Sequence, residues 1–114
     1  MPTVNVPHYF DVVYAIESAI LEASRESGTG ITQTPHRFIS TERKTMGLWF
    51  TKLGNKDWKA EAWVEKVGGE TKSSAYRITI KTTGADVISE TVYLSGMEQL
   101  ADLALHYAEI VNIA

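Results

Sequence analysis

The side chains of this sequence best suited to chemistry are aromatic and basic, and they alternate along the middle of the chain. Successive side chains of a strand point to opposite faces of a sheet, so alternate positions share one face. Leu48, Phe50 and similar residues predict an aliphatic face directed at a core. On the opposite face we place six candidate binding residues: Trp49, Lys59, Trp63, Arg77, Lys81 and Tyr93.

Aromatic rings interleaved with Lys and Arg suit two kinds of partner. Bases of single-stranded nucleic acid stack on such rings while cations contact the phosphates. Trp, Tyr and Arg are also the usual anchors of protein interfaces, including those between two copies of a chain. We favour the protein interface and keep nucleic acid as the alternative. A third interpretation is ordinary surface, or a face covered by the N-terminal segment.

One carboxylate interrupts the aliphatic face. Strict alternation puts Glu90 between Ile88 and Val92, where burial of a lone charge would be costly. An edge strand or a bulge that lets Glu90 reach water is favoured over a functional buried acid.

No residue pattern in the chain indicates a metal site, a thiol-based site or a phosphate-binding loop. His8, His36 and His106 lie far apart, and none has the spacing of a metal site. There is no cysteine, so thiolate ligands and nucleophiles are excluded. The glycines do not form a phosphate-binding loop between a strand and a helix. We therefore expect no metal, no cofactor, no catalytic residue and no enzymatic activity.

Helical periodicity marks both ends of the chain. Apolar residues at spacings of three and four predict a first helix from about Pro7 to Ser27, with Gly28 as its stop signal. Ser95 and Glu98 have the spacing of a capping box and predict that a second helix begins at Ser95.

The second helix is apolar over two stripes. One contains residues such as Leu100 and Ala104, and the other contains three candidate interface residues: Leu103, Tyr107 and Ile110. Burying both stripes requires two surfaces, namely the sheet and either the first helix or a second subunit.

Between the helices, short β-rich runs alternate with turn residues, which is typical of an antiparallel meander. We predict four strands, at residues 46–53, 58–67, 71–82 and 87–94, and a fifth short strand at 37–40. Residues 29–35 are polar and are expected to form a connection.

Length and composition favour one globular domain over residues 1–114, since 114 residues are too few for two independent cores. Residues 37–81 carry a net charge of +5, whereas the segments before and after them carry −3 and −5. The basic middle can attract anions. The sequence shows no export signal and no apolar run of bilayer length, so a cytoplasmic location without membrane contact is expected.

Residues 46–112 read as four strands and a helix, with the last strand running into Leu94-Ser95 and then Glu98-Gln99-x-x-Asp102-Leu103. In outline this is similar to the dimeric PC4-like single-stranded DNA-binding domains, which also end a four-stranded sheet with a helix. The resemblance is one of topology and supplies no binding residues.

The sequence thus predicts an α+β domain with an N-terminal helix, a meander sheet of four or five strands, and a C-terminal helix. Both helices are expected to pack on one sheet face. Its predicted function is that of a non-enzymatic binding domain acting through protein contacts, in particular as a homodimer. The alternative is single-stranded nucleic acid binding by the aromatic and basic sheet face.

Overall fold

The computed structural model describes residues 7–70 and 73–114 and confirms the predicted α+β class. Five strands form one antiparallel sheet in the order β1-β2-β3-β4-β5, so each strand pairs with the next one along the chain. The elements are α1 (Tyr9–Ser27), β1 (Ile31–Ser40), β2 (Thr45–Lys52), β3 (Asn55–Glu70), β4 (Ser73–Thr82), β5 (Ile88–Leu94) and α2 (Gln99–Ile113). The predicted N-terminal cover and the start of the third predicted strand concern residues 1–6 and 71–72, which lie outside the described residues.

Helix α1 has well-defined ends. At its start the His8 ring accepts a hydrogen bond from the Phe10 N–H, and the Asp11 carboxylate accepts one from the His8 N–H at 2.7 Å, which forms a capping box. At its end Gly28 adopts the left-handed conformation and its N–H donates to the Ser24 carbonyl. The predicted helix and its glycine stop are confirmed, although the helix begins at Tyr9 and Pro7 precedes its N-cap.

Strand β1 is longer than predicted, because part of the expected connection pairs with β2. Residues 31–33 and 37–40 both pair with β2, whereas residues 34–36 lie opposite Trp49 alone. Pro35 lies in this irregularity, where a residue without an N–H is tolerated. The polar composition and the proline led to the prediction of a connection, whereas these residues belong to a strand whose pairing is interrupted.

Helix α2 begins at Gln99, four residues later than predicted, and the expected capping box is not formed. Glu98 occupies the N-cap position and makes no side-chain cap hydrogen bond. The Gln99 side-chain oxygen instead accepts hydrogen bonds from the N–H groups of Ser95, at 2.7 Å, and Gly96, at 3.2 Å. The Gln99 side chain thus takes the capping role that was expected of the Glu98 carboxylate.

The core lies between the two helices and one face of the sheet. Tyr76 closes it near the start of α1, where its hydroxyl donates to the Pro7 carbonyl. Ile88 and Val92 are partly buried, and Glu90 between them is exposed because β5 is an edge strand. The other inward positions predicted from alternation are buried: Leu48, Phe50, Ala60, Ala62, Val64, Tyr76, Ile78, Ile80 and Leu94.

The second surface required by α2 is α1. The Asn112 amide donates to the Ile20 carbonyl at 3.3 Å, and the Thr29 hydroxyl donates to the Asn112 side-chain oxygen at 2.7 Å. Both apolar stripes of α2 are largely covered within one chain, because most of their residues are buried or partly buried: Leu100, Ala104, Ala108, Val111, Leu103, Tyr107 and Ile110. Over residues 7–70 and 73–114, neither helix is long and apolar enough to cross a bilayer.

Candidate binding face

The sheet face opposite the helices, called the open face below, carries the six candidate binding residues. Their positions follow from the strand registers, since Trp49 pairs with Glu61, which pairs with Lys81, and Glu65 pairs with Arg77. Trp49 and Trp63 are half-buried, whereas the remaining four are exposed: Lys59, Arg77, Lys81 and Tyr93. Tyr93 stands apart from the tryptophans on the edge strand β5.

Three aromatic rings form a cluster on the open face, centred on Trp63. The Trp49 ring lies edge-on to the Trp63 ring, with centroids 5.2 Å apart, and the centroid of the Phe38 ring lies 5.6 Å from that of Trp63. The Trp63 indole N–H donates to the Glu61 carboxylate at 3.0 Å, which fixes the orientation of the ring. This aromatic cluster presents polarisable, partly exposed surface from three adjacent strands.

Gly47 explains why the cluster is close to the sheet. It lies between Phe38 and Trp63 in the strand register. A Cβ atom at Gly47 would lie 2.5 Å from the Cε3 atom of Trp63, so the indole lies against the backbone of β2. Only the absence of a side chain permits this packing.

Phe38 was missed as a site residue, although it is 42% exposed and contacts Trp63. The short strand predicted at residues 37–40 did contain it. Its contact with Trp63 follows from the strand register, which places the two residues on either side of Gly47 and which the sequence alone does not provide.

Charges of both signs alternate around the aromatic cluster. The Arg77 guanidinium and the Glu65 carboxylate form an exposed ion pair at 3.5 Å, which contributes less than about 1 kcal/mol to stability. Glu61 likewise lies in register beside Lys81. With Lys59 included, these five side chains sum to a single positive charge, so the face is mixed rather than strongly basic.

The irregularity in β1 opens a groove of about 470 Å³ at the edge of the open face, called the β1 groove below. It is lined by eight residues: Thr34, His36, Arg37, Phe38, Trp49, Phe50, Thr51 and Lys59. Two of the candidate residues, Trp49 and Lys59, thus belong both to the open face and to this groove.

Polar groups near the groove are incompletely satisfied. Arg37 donates to the Tyr14 hydroxyl at 3.2 Å. Burial raises the pKa of the Glu17 carboxyl, and the nearby Arg37 charge lowers it in part. Within the described part of the chain, one buried side-chain atom on each of Glu17, Gln33 and Thr34 has no hydrogen-bond partner.

The three candidate interface residues of α2 do not share one environment. Tyr107 is 1% exposed, and its hydroxyl donates to the Glu90 carboxylate at 3.2 Å. Burial, together with the Glu90 charge, raises the pKa of this phenol. Tyr107 is thus buried within the chain, on the second apolar stripe where helical spacing placed it, and its role in an interface stays a prediction. Leu103 and Ile110 are partly buried against the core, and their role in an interface stays a prediction.

The histidines occupy three separate places. His8 caps α1, His36 lines the β1 groove, and His106 is exposed on α2 with its ring 5.0 Å from that of Tyr107. Among the residues that the structure describes, no group of three or more His, Cys, Asp or Glu could hold a metal ion.

Comparisons with known proteins identify no relative of this chain. The chain matches no protein-family model, no curated protein and no solved structure. The topological resemblance to PC4-like domains therefore gains no support, and the fifth strand and α1 separate the two outlines. The family of this chain is not identified.

Proposed function

We propose that this protein is a non-enzymatic binding domain that associates with a second copy of itself through the open face. The observation that carries the proposal is the aromatic cluster of Phe38, Trp49 and Trp63 on the sheet face that the helices leave exposed. Partly exposed aromatic rings in contact with one another gain strongly from removal of water, and they are typical anchors of protein interfaces.

The charge pattern favours a second copy over a polyanion. The open face carries Glu61 and Glu65 beside Lys81 and Arg77, so each sign has its opposite one strand away. Two copies related by a two-fold axis can place the cations of one face over the carboxylates of the other. A nucleic acid strand crossing the same face would meet both carboxylates.

The size of the face is also suitable. Five strands spaced about 4.8 Å apart, each roughly 30 Å long, give a projected area on the order of 600 Å². Standard protein interfaces bury about 800 Å² per partner, and the accessible surface of protruding side chains exceeds their projection. The open face can thus supply an interface of ordinary size without α2.

Light scattering coupled to size-exclusion chromatography tests the proposal. We expect the wild-type chain to dimerise in the micromolar range. The double variant Arg77→Glu/Lys81→Glu should be monomeric because its open face carries mainly negative charge. The variant Glu61→Lys/Glu65→Lys should be monomeric for the opposite reason. An equimolar mixture of the two should form a heterodimer.

The matched control is Lys56→Glu, which changes the charge of an exposed residue at the start of β3. It should dimerise as the wild type does. Circular dichroism checks that each variant is folded. A wild-type chain that stays monomeric at the highest accessible concentration, or a mixture that does not associate, overturns the proposal.

Single-stranded nucleic acid binding is the second candidate, supported by the exposed Lys59, Arg77 and Lys81 beside the tryptophans. Fluorescence anisotropy with a labelled oligonucleotide over a salt series discriminates it. Phosphate contacts make affinity fall steeply with salt. Tight, salt-sensitive oligonucleotide binding by a monomeric protein would replace the self-association proposal.

A further inference from the structure

We infer that the β1 groove binds a small organic anion that carries a planar aromatic ring. The inference goes beyond self-association, since it concerns a concave site at the edge of the open face, with which it shares Phe38, Trp49 and Lys59. It rests on three independent observations: the origin of the groove, the charges that line it, and an unsatisfied hydroxyl.

The groove originates from the irregular pairing of β1. Residues 34–36 lie opposite Trp49, which has no paired residue on β1 in the described ladder. The strands separate here, and Trp49 and Phe38 both line the resulting space. A volume of about 470 Å³ is within the usual range of small-molecule sites. Aromatic side chains lining such a space favour a flat apolar body.

The lining charges are of one sign. Arg37 and Lys59 are cationic, His36 can become so, and none of the eight lining residues is acidic. The only ion pair in the described residues joins Arg77 to Glu65 and involves neither lining cation. Arg37 donates to the Tyr14 hydroxyl and lies near Glu17, so Lys59 is the principal cation of the groove. A neighbouring cavity on the open face differs, because Glu65 lines it. Negative charge is therefore favoured in the β1 groove.

An unsatisfied hydroxyl lies in the same place. The Oγ1 atom of Thr34 is buried and has no hydrogen-bond partner in the described part of the chain. Thr51 differs, since its hydroxyl contacts that of Thr32 at 3.2 Å. Buried hydroxyls are normally paired, and rotation of the Thr34 side chain toward the groove would give this hydroxyl an anionic oxygen as its acceptor.

These features define the ligand by its chemistry. A ring is required to use the aromatic lining, and an anionic group is required to use Lys59, Arg37 and the Thr34 hydroxyl. An aryl carboxylate and a nucleoside monophosphate share this chemistry. The two probes 2-naphthoate and 5′-AMP distinguish carboxylate from phosphate, and 2-naphthylmethylamine serves as the cationic counterpart.

Isothermal titration calorimetry with these three probes tests the inference. We expect at least one anion to bind with a dissociation constant of roughly 0.1–1 mM, and the amine to bind at least about tenfold more weakly. Lys59→Gln should weaken anion binding by about fivefold or more because it removes a charge-assisted contact. Thr34→Val, which keeps the shape, should weaken it by about threefold or more.

Lys56→Gln is the matched control, since it removes an exposed lysine that does not line the groove. Binding by this control should stay within about twofold of wild type, well below the effect of losing a charged contact. Amide chemical shifts should change mainly over residues 34–38 during the titration.

Three results would overturn the inference: no binding of either anion at several millimolar, equal binding of the amine, or unchanged binding by both Lys59→Gln and Thr34→Val. Titration of the Arg77→Glu/Lys81→Glu variant separates this result from the proposed function. Anion binding should persist in that variant although it does not dimerise.

Discussion

Replacing Gly47 with alanine tests whether the aromatic cluster depends on the bare backbone beneath it. The new Cβ would lie 2.5–2.8 Å from three ring atoms of Trp63, which is closer than van der Waals contact allows. The indole must therefore move outward. It would lose its contacts with Trp49 and Phe38 and its hydrogen bond to Glu61.

The expected cost follows from these losses. Each aromatic pair contributes about 0.5–1.5 kcal/mol beyond its buried area, and the indole hydrogen bond about 0.5–1 kcal/mol. Alanine recovers about 0.5–1 kcal/mol because it restricts the unfolded chain more than glycine does. These contributions sum to a net loss of about 0.5–3.5 kcal/mol in the free energy of unfolding, centred near about 2 kcal/mol, which corresponds to a melting temperature lower by roughly 8 °C.

A double-mutant cycle with Trp63→Leu provides the assay. Urea unfolding followed by circular dichroism should show Gly47→Ala to be destabilising in the wild-type chain, and neutral to stabilising by up to about 1 kcal/mol in the Trp63→Leu chain. Gly68→Ala is the matched control, because a Cβ there would meet only Ala75 at an ordinary 3.8 Å. Equal effects of Gly47→Ala in both backgrounds would refute the account, since the cost would then not involve the indole.

Three further predictions concern stability and use the same unfolding assay. Burial raises the pKa of Glu17 above its ordinary 4.5, so ionisation opposes folding as the pH rises through the window above that value. Glu17→Gln should stabilise by less than about 1 kcal/mol near neutral pH, with the gain lost near pH ~4; a gain independent of pH would contradict this. Ser24→Ala should cost about 1–3 kcal/mol, because the buried Ser24 hydroxyl accepts the first backbone N–H of β1 at 2.7 Å, while the exposed Ser18→Ala should change little. Gln99→Ala should cost about 1 kcal/mol and Glu98→Ala less than about 0.5 kcal/mol, the reverse of what the Ser-x-x-Glu spacing implies.

Periodic patterns predicted the elements whose neighbours are local. The first helix and the aliphatic sheet face followed directly, because alternation and helical spacing report burial wherever one face is apolar. The exposure of Glu90, through an edge strand or a bulge, was anticipated from the cost of burying a charge. These features required no knowledge of distant partners.

Features that depend on tertiary pairing could not be obtained in this way. The interrupted pairing around Pro35 looks like a connection in the sequence, since its partners lie in β2. Helical spacing placed Tyr107 correctly on the second apolar stripe of α2. It could not show whether α1 or a second subunit packs on that stripe. The aromatic cluster was predicted only in part, because the place of Phe38 depends on its register with Gly47.

The Asn112 contacts have a consequence for the order in which the chain assembles. Every strand pairs with its neighbour in sequence, so the sheet can form by successive hairpins with short loops. By contrast, the hydrogen bond between Thr29 and Asn112 joins residues 83 positions apart. Closing so long a loop is entropically unfavourable until the sheet has brought its ends together. Docking of α2 on α1 therefore belongs to the late stage of folding, and weakening the Asn112 contacts should accelerate unfolding more than it slows folding.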